Sequence, residues 1–151
     1  DNLIQKFPDH SNRYLAELSR LDCLLALANQ NTTYDFKEII VELERLLDLP
    51  DLPNEFQLEV RYKLAFIFSK IDQTSLSNKV ILSIIDDFID SGVRTGGFSS
   101  IESYWIARSL FLLCDHLNAD NKVDECKKIY RMIIAYNLPG YQLAKQLLLE
   151  L

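Results

Sequence analysis

Two histidines, His10 and His116, and three cysteines, Cys23, Cys114 and Cys126, are the side chains of this 151-residue sequence best suited to nucleophilic, general-base or metal chemistry. Cys114 and His116 stand two residues apart in a stretch of helical pattern. Side chains at that spacing diverge by roughly 160–200°, so the pair cannot make a nucleophile–base contact on one helix. His10, beside Ser11 and Asn12, marks a helix start, where capping is the ordinary use of such residues. There is no CxxC, HxxxH or HExxH string, and the acidic pair Asp86–Asp87 falls on a helix instead of a calcium loop, which reads as a solvated face. No GxGxxG or GxxxxGK string occurs, and Gly96–Gly97 lacks the lysine and helix start of a phosphate cradle. The "NTT" at Asn31–Thr33 fits the glycosylation tripeptide, but free cysteines argue against an extracellular eukaryotic setting. The expectation is a protein without a catalytic step, cofactor or metal.

The elements that carry these residues follow from composition. With 48% apolar residues the chain can bury one sizeable core, which makes a single domain over residues 1–151 the expectation. A formal charge of -6 argues against a phosphate-backbone partner. The densest apolar stretches, "CLLALA" and "LAFIF", fall well short of the roughly 18 residues that span a bilayer, so no membrane insertion is expected. The cysteines form no spaced framework and read as free, buried thiols. Opening on Asp1 instead of Met is compatible with a fragment of a longer chain that has lost a signal peptide, lipid anchor or further repeats. The compartment stays open between the cytoplasm and the cell envelope or periplasm.

Four glycines and four prolines are too few turns for a sandwich or barrel, and the 3.6-residue period marks seven amphipathic helices instead. The first spans about 11–28 with Leu15, Leu18, Leu21, Leu25 and Ala28 inward. The second spans 34–49 with Ile39, Ile40, Leu43, Leu46 and Leu47. After the connector "DLPDLPNE", the third begins with Asn54 as cap and runs to Ile71, with Leu58, Tyr62, Ala65 and Phe68 on one side. The fourth runs from Leu76 to Asp90 on Val80, Ile81, Ile84, Ile85 and Phe88, stopping near Gly92. "SGVRTGGFSS" reads as a loop. Helices five and six cover 100–118 and 122–136, the latter ended by Pro139–Gly140, and a last helix covers "YQLAKQLLLEL".

Helix pairs of this length prompt a search for repeats. Leu113–Cys114, then Leu117, then Cys126, Tyr130, Ile133 and Pro139 follow in an order that resembles the tetratricopeptide repeat. Leu147, Leu148 and Leu151 return the large positions 34 residues on; Leu64–Ala65–Phe68 and Leu25–Ala26 fit earlier first helices at intervals of 49 and 39. "ERLLDLPDLPNEFQLEVRYKLA" and "YWIARSLFLL" also look like repeat proteins of bacterial cell envelopes. The resemblance implies an all-α, right-handed α–α superhelix (a solenoid) with units of about 11–49, 54–91 and 100–139 and a terminal helix at 140–151.

It further implies a concave groove lined by Glu59, Tyr62, Phe66, Ser69 and Lys70 from one unit and Arg108, Phe111, Asp115 and Asn118 from the next. Tyr62, Phe66 and Phe111 would form apolar walls and Arg108 a charge clamp for a peptide or protein partner. For Phe66 and Phe111 a place in the core is equally open. The expected function is a protein-binding scaffold or adaptor. The alternatives are a self-assembly module acting through the terminal helix, and a helical bundle for a small ligand, suggested by the 91–99 loop. The basic run Lys122, Lys127, Lys128 and Arg131 reads as an exposed convex face, or as a surface meeting the acidic second helix of another copy.

Overall fold

A computed structural model describes residues 12–30, 35–90 and 97–151, and every regular element among them is helical. The expectations resting on His10, Ser11, the "NTT" tripeptide, Gly92 and Gly96 lie outside these residues. The chain divides into two compact units, residues 1–52 and 53–151, at the proline-marked connector.

In the first unit, α1 (Arg13–Gln30) buries Leu18, Leu21, Leu25 and Ala28, and α2 (Lys37–Leu47) buries Ile39, Leu43 and Leu46. Leu15, expected inward, is 55% exposed. The buried place in that part of α1 goes to Glu17, whose carboxylate accepts from Arg13 Nε at 3.1 Å and from Arg45 of α2 at 2.8 Å. A carboxylate this deep is tolerable only because both oxygens are paired. Cys23 is exposed, against the expectation of three buried thiols, because it lies off the 18–21–25–28 stripe.

The second unit holds α3 (Asn54–Lys70), α4 (Thr74–Ile84), a π-helical turn (Ile85–Asp90), α5 (Ser100–Ala119), α6 (Val123–Ala135) and α7 (Tyr141–Glu150). Successive helices pack on one another from α3 to α7, and α3 also packs on α5. One apolar core runs through them, from Leu58 and Ile81 through Ile106 and Leu110 to Ile133, Leu138 and Ala144. Asn54 is the first helical residue of α3 and not its cap; Pro53, with no donor to lose, takes the cap position.

The hairpins α3–α4 and α5–α6 match residue for residue at a spacing of 49. Ala65 corresponds to Cys114 and Ser77 to Cys126, and all four are buried. In each hairpin the second residue donates to the carbonyl of the first: Ser77 Oγ to Ala65 O at 2.7 Å, and Cys126 Sγ to Cys114 O at 3.9 Å. Small side chains are needed here because the helix backbones approach closely enough for a side chain on one to reach the main chain of the other. Burial pushes the Cys114 thiol well above its usual range, so it stays protonated and packs as an apolar group.

The helix stops match as well. Asp72, Asn121 and Asn137 have positive φ, and the residue after each donates back across five positions: Gln73 to Phe68 O at 2.8 Å, Lys122 to Leu117 O at 2.8 Å, and Leu138 to Ile133 O at 3.0 Å. Asp and Asn tolerate the left-handed region, so they close these turns without glycine. Thus Asn137 ends α6, and Pro139–Gly140 form the turn into α7. Gly140 is required there: its φ is 84°, and a β-carbon would stand 2.8 Å from the Phe111 ring.

Candidate binding groove

Positions 59, 62, 66 and 70 of α3 and 101, 104, 108 and 115 of α5 fall at three-, four- and seven-residue intervals, so each set forms a stripe on its helix. The packing of α3 on α5 brings the two stripes together at Arg108. Its guanidinium donates to the Tyr104 hydroxyl at 2.7 Å and to the Tyr62 hydroxyl at 3.0 Å, and lies 4.8 Å from the Tyr62 ring centre and 5.6 Å from that of Tyr104. Partial burial pulls the Arg108 pKa down, but the hydroxyl bonds and electrostatic attraction of Tyr104 and Tyr62 outweigh it and hold the group above its ordinary value. Arg108 is exposed and has no carboxylate partner among the described residues.

Trp105 backs this cluster, its ring centre 5.4 Å from Tyr62 and 4.9 Å from Tyr104. Lys63, only 6% exposed, lies 5.9 Å from the Trp105 ring and donates to Glu59 at 2.5 Å. Further along α3, Phe66 sits 6.2 Å from Tyr62 with the Lys70 ammonium 5.3 Å from its ring. Seven aromatic and cationic side chains, together with the Glu59 carboxylate bonded to Lys63, thus form a continuous strip.

Of the residues expected to line a groove, Glu59, Tyr62, Phe66, Lys70 and Arg108 belong to this strip. Phe111 does not: it is half-buried against the core, 6.3 Å from Tyr130, and fills the space over Gly140. Asp115 and Asn118 are exposed farther along α5. Tyr104 and Trp105 were not anticipated. Their signal was present, since Tyr104 lies four residues before Arg108 on the same face.

Ser69 takes part in a different arrangement. It is 2.9 Å from His116 Nε2, and His116 Nδ1 is 2.7 Å from Asn78 Oδ1. With Nδ1 donating to the amide oxygen, Nε2 accepts from the Ser69 hydroxyl. Burial lowers the His116 pKa, only partly countered by Asp115 and Asp120, which favours this neutral form. A buried imidazole therefore pins α3, α4 and α5 together. Asp86 and Asp87 are exposed, in keeping with a solvated face, and Asp87 also accepts from Arg61 at 2.7 Å; Arg61 donates to Ser83 O and stacks on Phe88, bracing the π-helical turn.

On α7, Leu147 and Leu148 pack on the core while Leu143 and Leu149 are exposed. No group of three or more potential metal ligands is found among the described residues, and no helix among them is long and apolar enough to cross a membrane. The chain matches no family model, no curated protein and no solved structure.

Proposed function

We propose that residues 53–151 form a tetratricopeptide-like scaffold that captures a peptide or protein segment against the α3–α5 face. The repeat reading is supported by the 49-residue equivalence of two hairpins, with small residues at matching inter-helix contacts. The binding reading is carried by one observation, the exposed Arg108 guanidinium held between two tyrosines without a carboxylate. Ordering an arginine costs side-chain entropy, and here that cost is already met within the free protein. A carboxylate approaching it meets a fixed, planar donor flanked by aromatic walls, the residue types that most often carry interface energy.

The test uses the immobilised 151-residue chain and a Tyr62→Ala/Arg108→Ala version to recover proteins from the source cell. The expected result is a partner retained by the first and lost from the second, with helical content unchanged. In a titration of that partner, Arg108→Gln should weaken binding by about tenfold or more, about 1.4 kcal/mol. Retention of the same proteins by both versions, or of none by either, would remove the groove assignment.

A further inference from the structure

Away from the Arg108 strip, a concavity of about 760 Å³ lies between α4 and α6 with α5 as its floor. This is within the size range of small-molecule sites. Its floor is apolar: Leu113 and Leu117 from α5, Ile129 from α6 and Leu82 from α4, the last 48% exposed.

Its two ends differ in chemistry. His116 holds Asn78 beside the end of α5, and Lys122 donates its backbone N–H to Leu117, so Asn78, Lys79, Leu117 and Lys122 share one end. His116 occupies the Asn78 amide oxygen, which leaves the amide NH₂ as donor. Lys79 has no carboxylate partner among the described residues, and Lys122 has only an exposed contact with Asp120 at 3.9 Å. That end therefore offers two ammonium groups and an amide donor, on a chain of formal charge -6. Toward the other end, Lys128 and Asp86 carry opposite charges on facing walls and leave little net field. Glu125, one turn after Lys122, opposes a multiply charged anion. From Lys122 to Ile129 the α6 wall measures about 10 Å, the reach of a medium-length alkyl chain.

We infer that this cleft binds an amphipathic monoanion, a medium-chain carboxylate whose head meets Lys79, Lys122 and Asn78 and whose tail covers the leucine floor. It is separate from the Arg108 strip and does not depend on the peptide-binding reading.

The experiment is calorimetric titration of the 151-residue chain with decanoate below its micellar concentration, beside butanoate and decyltrimethylammonium. Decanoate should bind saturably at one site. Losing six methylenes should weaken butanoate by about 100-fold or more, and the cationic ligand with the same tail should not saturate. Lys79→Glu/Lys122→Glu should weaken decanoate at least about tenfold and Lys79→Gln/Lys122→Gln by less, as expected for charge at a partly exposed site, while Arg108→Ala leaves it unchanged. The glutamine pair keeps the test valid if charge reversal unfolds the chain. Absence of saturation, equal binding by wild type and both lysine variants, or equal binding of the cationic ligand would overturn the inference. So would binding of an acidic amphipathic helical peptide without decanoate binding, which would assign the cleft to a protein partner.

Discussion

Gly140 joins a backbone demand to a packing demand. Its left-handed φ alone would strain an alanine by roughly 1–3 kcal/mol, and the alanine β-carbon would also meet Phe111 at 2.8 Å. Gly140→Ala should therefore lower stability by about 2 kcal/mol or more, a fall of roughly 8 °C in Tm for a unit of this size. Adding Phe111→Leu should recover the steric part and leave the φ part, which thermal denaturation of the four variants can separate. An unchanged Tm in Gly140→Ala would mean the turn adopts another conformation. At this scale the sequence was legible where residues share one helix face: the tetratricopeptide resemblance singled out Tyr62, Phe66 and Arg108, and the three side chains lie together where α3 meets α5. It was silent where contacts are long-range. Ser69 and Asn78 lie 47 and 38 residues from His116, and nothing local announces that these three side chains meet. The role of Phe111 was left between groove and core because both uses demand the same residue at the same interval.

The seven α-helices of the described residues were readable because apolar residues recur with the helical period, yet their ends were set by signals of another kind. α5 begins with a reciprocal box in which Ser99 Oγ accepts from Glu102 N at 3.1 Å and Glu102 accepts from Ser99 N at 2.9 Å. The S-x-x-E pattern at residues 99–102 announces it. Ser99→Ala should cost about 1 kcal/mol, and Ser99→Asp should retain most of that stability, measured by chemical denaturation. If alanine proves neutral, the start of α5 is held by packing alone. The helix stops were harder to read. Asp72, Asn121 and Asn137 look like ordinary polar residues, and their positive φ follows from the turn that each closes. Pro139–Gly140 drew attention because proline and glycine are conspicuous, although α6 had already ended before them.

Across the molecule, the core of residues 53–151 is built from that unit's own side chains. Produced alone, residues 53–151 should give a helical circular dichroism spectrum and one cooperative thermal transition; a non-cooperative melt would show that the division at the connector is not one of stability. The interval of 49 was visible in the sequence as a spacing between small residues, read there as the distance between two repeat units. The paired bonds from Ser77 and Cys126 and the matching stops at Asp72 and Asn121 give the two hairpins one local geometry. The His116 relay has a further consequence for this unit. Its hydrogen bonds run in one direction, from the Ser69 hydroxyl through the ring to the Asn78 amide, and Asn78 borders the α4–α6 cleft while Ser69 lies in the last turn of α3. Turning the Asn78 amide would make Nδ1 the acceptor and Nε2 the donor, so the Ser69 proton would be released to a neighbour on its own side. One imidazole thus gives the ends of α3 and α4 a common polarity, and a ligand that fixes the Asn78 amide dictates which hydrogen-bond partner Ser69 can offer.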